Sequence, residues 1–598
     1  MFGQSAPLCA GHQQPGVCVE GVWRCAVLPV RSRCWAVLPP GRPAPTRLLV
    51  TVELASWTAF TLQVFPLSPI VAGKLTTRGY RRRDDIGFDV FEIPLRDYDL
   101  VLGDVIPAAV RGIFAQIDVD HVPQPVLKLA RAPHETRHTS SRPPEQAIPK
   151  IWDCLLEFQQ DSVRFAVERG GRALLADDMG LGKTVQCLAL CEYYRDDWPL
   201  LIVCPATMRV HWKDMARKWL SASSNIAIPK SKNDIMGMLA LPQIVVLSYA
   251  LVKTVLPLIK SRWENRWTPN DESHHLKEST SQRACELKKW LKCSRRVILL
   301  TGTPALNRPA ELFSTVDILS TGLLGSKIQF EKRYCQGHKD PRSGRWMNRG
   351  SHHETELYLV LTRCLMVRHL KRDVMRCMPK KIRNMVRSVV DTPISIEETV
   401  RREMEGGGQQ SDNLVNLYFE SASHKLVAAA SLIRTFLQKD SSPFIVFGHH
   451  ELVLDGLQAI LDQTCTTFVR IDGATSPTDR DNAVRRFIKG DARVALLSFG
   501  SCATGLNLAS ACSSMIFAEL PWTPALLFQA EDRIHRIGQQ SPSCTYHYVI
   551  VRGTSDDFMM PAIERKIRTL AHTLDGAGVD PTPGSTSSAQ PELPFRNP

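Results

Sequence analysis

The sequence predicts an α/β protein of two lobes, each built on a parallel sheet and preceded by a small α+β domain. Three observations carry this. The chain has 598 residues, and single hydrophobic cores stop growing at about 250–300 residues, so two or three domains are required. From Ile151 onward, short apolar runs alternate with helical patterns, as α/β units around parallel strands do. The runs form two series, ALLA, LLIVCP, IVVLSY and VILLTGTP, then FIVFGHH, FVRIDG, VALLSFG and MIFAEL, parted by a softer stretch at 405–413 (EGGGQQSDN). Hydrophobic residues at 44% and charged residues at 22% exclude a mostly disordered chain.

Residues 1–46 are rich in Pro, Gly, Arg and Cys and read as disordered, or as a doubtful start of the gene. MFGQSAPLCAGHQQPG has neither the basic nor the apolar region of a secretory signal. The 17 cysteines are scattered without a CxxC pair, so reduced, mostly buried thiols are expected. Residues 47–133 carry strand-like runs (LLVTVEL, FTLQVFPL, FDVFEIPL), a basic cluster at Arg81–Arg83 and a helix from Tyr98. Leu54–Gly73 is uncharged over a bilayer-spanning length. Its prolines and the alternation of Phe60, Leu62 and Val64 with Thr61 and Gln63 favour half-buried strands, so no membrane partner is expected. Residues 134–150 read as a polar, Pro-rich linker, 151–390 as the first lobe, 391–574 as the second, and 575–598 as a disordered tail.

DDMGLGKT, residues 177–184, lies between the strand ALLA and the helical run VQCLALCEYYR. A phosphate-binding loop needs that setting, because successive N–H groups around Gly180 and Gly182 and a helix N-terminus can face an anion. Lys183 would reach the β- and γ-phosphates of ATP, and the Thr184 hydroxyl would ligate Mg²⁺. The strict pattern has Gly where this chain has Asp177. DESH, residues 271–274, offers Asp271 as a second Mg²⁺ ligand and Glu272 as the base that orients the attacking water. An exposed acidic turn is the plainer reading. VILLTGTP ends in a hydroxyl-rich loop that either senses the nucleotide state or is an ordinary turn after a core strand.

In the second lobe, QAEDRIHRIGQ places Gln529, Arg533 and Arg536 at i, i+4 and i+7, one face of a helix. Two arginines there can stabilise charge developing on a γ-phosphate. A surface ladder with Glu531 and Asp532 is the alternative.

In this order DDMGLGKT, LLIVCPATMRVHW, DESHHLK, LLTGTPALNRP and QAEDRIHRIGQ resemble the superfamily-two motor of Swi/Snf-related DNA translocases, over roughly residues 151–570. The resemblance implies two RecA-like lobes with ATP and Mg²⁺ between them. It implies that Phe158 and Gln159 recognise adenine, with Asp178, Lys183 and Gln529 lining the nucleotide. Pro205–Trp212, Ser248 and Tyr249 fall in segments that touch DNA or couple it to ATP. Thr475, Arg480, Thr504, Gly505 and Asn507 correspond to phosphate-backbone contacts.

Family members carry an apolar strand before the DESH-type box. This chain has Arg262-Trp-Glu-Asn-Arg-Trp-Thr-Pro-Asn270, and proline cannot donate to a sheet ladder. A splicing or gene-prediction error, or else a displaced site with crippled hydrolysis, is expected there.

Asp178, MIFAELPWTPALLFQAEDRIHRIGQ and RGTSDDFMMPAIERKI resemble the annealing-helicase, fork-remodelling branch. FEIPLRDYDLV and HVPQPVLKLA resemble its HepA-related (HARP) DNA-recognition module, an unrelated small α+β domain being the alternative. The implied function is a nuclear, ATP-dependent translocase that rewinds or remodels branched DNA in replication-fork repair. A single-strand-binding protein is a possible further partner. The rivals are a chromatin remodeller and a catalytically impaired DNA-binding scaffold. Most of the net charge of +14 lies within 151–400, notably Arg363–Arg387, where a DNA track is expected.

Overall fold

The computed structural model describes residues 16–19, 22–25 and 47–575, apart from residues 66–68, 84–89, 112, 115, 133–141, 221–224, 264–266, 277–281, 306–307, 342, 376–377, 390–409, 440, 501–506 and 537. Within the segment expected to be disordered, β1 (Gly16–Val19) and β2 (Val22–Cys25) pair as an antiparallel hairpin. The tail after 575 lies outside the described residues. The eleven described cysteines from Cys154 to Cys544 are free thiols. No described helix is long and apolar enough to cross a membrane. The described chain forms two compact units.

The first unit holds a five-stranded sheet ordered β5-β6-β4-β3-β7. Its strands are β3 (Arg47–Leu54), β4 (Ala59–Phe65), β5 (Arg81–Arg82), β6 (Val90–Pro94) and β7 (Gln116–Asp120). Alternation works as expected: Leu48, Val50, Val52 and Leu54 of β3, with Phe60, Leu62 and Val64 of β4, are buried while their neighbours are not. Helices Pro69–Thr77 and Gln124–Arg131 and the helical stretch from Tyr98 to Val110 add Val71, Leu75, Val101, Ile106 and Leu127 to the core.

The segments Gly322–His338 and Met347–Arg363, expected within the first lobe, belong to this unit instead. Helices Lys327–Cys335 and Glu354–Cys364 bring Arg333 and Glu356 into a buried, two-pronged ion pair at 2.9 and 2.7 Å. Arg333 also donates to the Val52 carbonyl and to Asp120 Oδ1, both at 2.8 Å, while Glu356 accepts from Tyr334 Oη and the Leu54 amide. The fork geometry satisfies nearly every polar atom of the pair, which makes its burial tolerable. Beside it His353, fully buried with φ 47°, shares a 2.8 Å hydrogen bond with Asp120. Apolar alternation announced the sheet, but nothing in it foretold that helices some 200 residues later would complete the unit.

The second unit contains two parallel sheets. The first is ordered β10-β11-β9-β12-β13-β8-β16, from β8 (Arg172–Leu175), β9 (Leu200–Cys204), β10 (Ile226–Ala227), β11 (Ile244–Ser248), β12 (Trp267–Asp271), β13 (Arg296–Leu300) and β16 (Met366–Val367). A short hairpin, β14 (His338–Lys339) with β15 (Trp346–Met347), precedes β16. The second sheet is ordered β17-β22-β21-β18-β20-β19, from β17 (Lys380–Val389), β18 (Phe444–Gly448), β19 (Phe468–Ile471), β20 (Val494–Ser498), β21 (Ser514–Phe517) and β22 (Ser543–Arg552). All eight apolar runs are strands. Within and just past the expected linker 134–150, Pro144–Ala147 and Pro149–Trp152 form two short helices.

Two expectations are corrected. Trp267–Asp271 is the central strand of the first sheet, despite Pro269. Its ladder to β13 runs over all five residues, whereas that to β9 is recorded only at Trp267–Leu200 and Asn270–Val203, the gap coinciding with the proline. Its buried polar side chains are used: Thr268 Oγ1 accepts from Trp290 Nε1 at 2.9 Å, and Asn270 Oδ1 from Tyr249 Oη at 2.8 Å. Second, Lys380–Val389, assigned from the sequence to the first lobe, pairs along its whole length with β22 in the second sheet. The crossing between sheets is therefore 368–379.

Truncating Glu356 to Ala would strip Arg333 of its fully buried partner. We expect the first unit to lose about 3 kcal/mol, seen as faster amide exchange in β3 and β7 with exchange in the second unit unchanged.

Candidate active site

β8 delivers the chain into the loop 176–182, and the helix Lys183–Tyr193 begins at once after it. Gly182, the residue before the helix, has φ 78°, and a Cβ there would lie 2.5 Å from Gln159 Nε2. Only glycine combines that backbone with that close approach. Gln159 in turn donates to the Leu181 carbonyl at 3.0 Å, and Phe158 packs edge-on against His369 at 5.6 Å. Both residues implied for adenine thus flank the loop. The Lys183 ammonium is buried and donates to the carbonyls of Asp177 (2.7 Å) and Asp178 (3.2 Å). Burial lowers its pKa, opposed by Asp177, Glu272, Asp178 and Asp271. Asp177, the departure from the strict glycine pattern, is an anchor: its carboxylate accepts from Gln186 Nε2, the His369 amide and His369 Nδ1 at 2.8–2.9 Å.

Asp271 and Glu272 emerge at the C-terminal end of β12, the edge where open parallel sheets bind ligands. The displaced site expected from the sequence is not found. Asp271 accepts from Trp212 Nε1 (2.8 Å) and from the Glu272 amide (3.0 Å). Glu272 has φ 51°, a costly conformation for a side-chain-bearing residue. Tyr249 Oη lies 2.5 Å from the Asp271 carbonyl and 3.2 Å from that of Glu272. Burial and the neighbouring Glu272 raise the Asp271 pKa to about 6, opposed by the Trp212 hydrogen bond and by Lys183. Two hard carboxylates whose charge acts on Lys183 of the loop suit a divalent cation such as Mg²⁺. At the end of β13, a Cβ on Gly302 would meet Met179 Cγ at 2.4 Å and Lys183 Nζ at 3.5 Å. The hydroxyl-rich loop therefore abuts the phosphate loop.

The second lobe departs from the expected helix face. The helix Pro524–Glu531 ends before the arginines, and Asp532–Arg536 continue as turns. Gln529 is buried in the helix and Arg533 is buried after it. Arg536 reaches the phosphate loop: its Cγ would lie 3.3 Å from a Cβ on Gly180. Burial and Arg533 lower its pKa to about 10, opposed by Asp532 and Glu272. Glu531 and Asp532 form no surface ladder. Glu531 takes a bidentate pair from Arg383 at 2.7 Å and a 3.0 Å pair from Lys381, and Asp532 is held by Lys371 and Lys381 at 3.0 Å each. Lys381 and Arg383 alternate onto one face of β17 with period two, a signal present in KKIRNMVR and passed over because that run is so basic.

The basic stretch Arg363–Arg387 is therefore largely consumed inside the protein. Arg363 lies over Trp57 at 4.2 Å, Arg368 donates to the Ala176 carbonyl at 2.8 Å, and Lys371, Lys381 and Arg383 pair as above. Among the residues expected to contact DNA, Ser248 is buried and Tyr249 is turned to the acidic pair. Thr475 Oγ1 and Arg480 tie to Asp472, and Asn507 is exposed. Thr504 and Gly505 lie outside the described residues.

The chain matches the SNF2-related domain over residues 158–391 and the helicase conserved C-terminal domain over residues 425–538. It is 35% identical over 536 residues to the SWI/SNF-related matrix-associated actin-dependent regulator of chromatin subfamily A-like protein 1 of Xenopus tropicalis, covering 86% of this chain and 54% of that protein. It is 36% identical over 446 residues to the DNA annealing helicase and endonuclease ZRANB3 of Mus musculus, covering 71% of this chain and 41% of that protein. The chain spans about half the length of the curated relatives it matches.

Burial raises the Glu531 pKa, but Arg383 and Lys381 outweigh it and bring the group from 4.5 to about 2. A carboxyl depressed on folding stabilises fully above its unfolded value and loses that contribution as pH falls through the folded one. Wild type should therefore melt several degrees above Glu531→Gln at neutral pH, the gap narrowing from about pH 5 towards pH 2; a pH-independent gap would contradict the pairing. With these two matches and these relatives, the chain carries a SNF2-related domain followed by a helicase conserved C-terminal domain, the pairing that makes it similar to Swi/Snf-related proteins.

Proposed function

We propose that the protein is a DNA-dependent ATPase that translocates on DNA and rewinds or remodels branched structures at replication forks. One observation carries the catalytic part: Lys183, the Asp271–Glu272 pair and Arg536, from three separate stretches of sequence, converge on one phosphate-binding loop. In this reading the amides of the loop and Lys183 hold the β- and γ-phosphates, and Phe158 and Gln159 hold adenine. Thr184 and Asp271 would hold Mg²⁺, which when bound neutralises charge on the phosphate oxygens. Glu272 orients and deprotonates the attacking water. Arg536, with Arg533, stabilises charge on the γ-phosphate; both belong to the second lobe, so hydrolysis is linked to lobe closure.

Thr475, Arg480, Thr504, Gly505 and Asn507 are proposed to contact the DNA backbone, and Tyr249 to link the DNA side to Asp271 and Glu272. The fork branch is favoured over general chromatin remodelling by one relative's name, DNA annealing helicase. Residues 47–133 are proposed as a HARP-like DNA-recognition module. In support, the 86% coverage in one alignment exceeds what residues 151–598 alone supply. The central position of β12 weighs against the impaired-scaffold reading. A nuclear location and a single-strand-binding protein as partner follow from the same branch.

Forked or junction DNA should raise ATP turnover more than plain duplex or nucleosomes, and Lys183→Ala should lower it at least about 100-fold. Nucleosome preference would move the protein to chromatin remodelling, and DNA binding without turnover would restore the scaffold. Because the contacts go to phosphates, affinity should fall by about 10³-fold between roughly 50 and 200 mM salt.

A further inference from the structure

The crossing between the two sheets, residues 368–379, is fastened at both ends. At one end His369 and Lys371 hold the phosphate loop: the His369 amide donates to Asp177 at 2.9 Å and the Lys371 amide to Asp178 Oδ2 at 3.0 Å. At the other, the Pro379 carbonyl lies 2.9 Å from His535 Nε2. Lys371 does more than span the crossing. Its ammonium is buried and reaches Asp532 Oδ1 at 3.0 Å and the His535 carbonyl at 2.8 Å. Those two residues bracket the turn carrying Arg533, and the Asp532 carbonyl accepts from Arg536 Nε at 2.7 Å.

We infer that Lys371 is a positioning residue that couples the phosphate loop to Arg536: its amide fixes Asp178 and its ammonium fixes the turn from which Arg536 reaches Gly180. This rests on the ATPase reading above. A continuous path results. Lys183 donates to the Asp178 carbonyl, the Asp178 carboxylate accepts from the Lys371 amide, the Lys371 ammonium grips Asp532, and Asp532 holds Arg536. Simple charge balance does not account for Lys371, because Lys381 already pairs with Asp532 at 3.0 Å. A cavity of about 620 Å³, lined in part by Met179, Thr303, Lys371, Phe528 and Asp532, adjoins the path. Burial lowers the Lys371 pKa to about 8, opposed by Asp532, so the ammonium is held charged mainly by its partner.

The test uses the full chain with Lys371→Met and Lys371→Arg, the second keeping charge and reach. Residual Lys381 pairing should keep Lys371→Met folded. Its DNA-stimulated kcat should fall about tenfold or more, with KM for ATP within about twofold of wild type, and Lys371→Arg should recover much of the loss. A second measurement needs no hydrolysis: distances between labels at exposed Asp196 and Asp462, introduced as non-canonical residues, taken without nucleotide. Lys371→Met should broaden or lengthen that distribution. An unchanged distribution, or a variant that alters KM while kcat holds, overturns the inference. Broadened distances in a protein with no wild-type turnover would uphold the coupling and sink the ATPase reading instead.

Discussion

The second unit turns on the buried ionic cluster in which Lys371, Lys381 and Arg383 enclose Glu531 and Asp532. Each carboxylate taken from water needs matched cations in good geometry, or its desolvation dominates. Here three cations from the crossing and the strand after it meet two carboxylates at the end of one helix. The pairing fixes where that helix stops, and so fixes where Arg536 points. It also seats β17 on the second sheet, although β17 follows the first sheet directly in sequence. The second unit's two sheets are thus defined by electrostatics as much as by apolar packing.

The first unit repeats the device. Arg333 and Glu356 form a fully satisfied pair, with Val52, Leu54, Asp120 and Tyr334 as further partners. Strands near the N-terminus and helices beyond residue 322 share one core and one polar network. A module appended by a linker would have its own closed core. This one is completed by an excursion of the chain between β13 and β16, so its stability and that of the excursion are one quantity.

β12 shows how a site can survive an unsuitable sequence. A central parallel strand is ordinarily an apolar run, and Trp-Thr-Pro-Asn-Asp is not one. The strand holds because Thr268 Oγ1 and Asn270 Oδ1 find partners in Trp290 and Tyr249, and because the proline costs pairing on one side only. Asp271 then lands at the carboxyl edge of the sheet beside the phosphate loop. Propensity argued against the strand, and tertiary hydrogen bonding overrode it.

The eight apolar runs, the phosphate loop and the alternating strands of the first unit were legible in the sequence because each rests on local periodicity or on a glycine-bearing turn. The acidic pair and Arg536 were legible as chemistry but not as geometry: a period of 3.6 placed the arginines on a helix that ends at Glu531. What only the tertiary structure decided was where the basic residues go. The stretch Arg363–Arg387 reads as a surface track when charge is counted along the chain. Folding draws three of its cations, Lys371, Lys381 and Arg383, onto Glu531 and Asp532, some 150 residues away. Composition fixes how many charges there are, whereas whether a charge faces solvent depends on partners that only the fold brings within 3 Å.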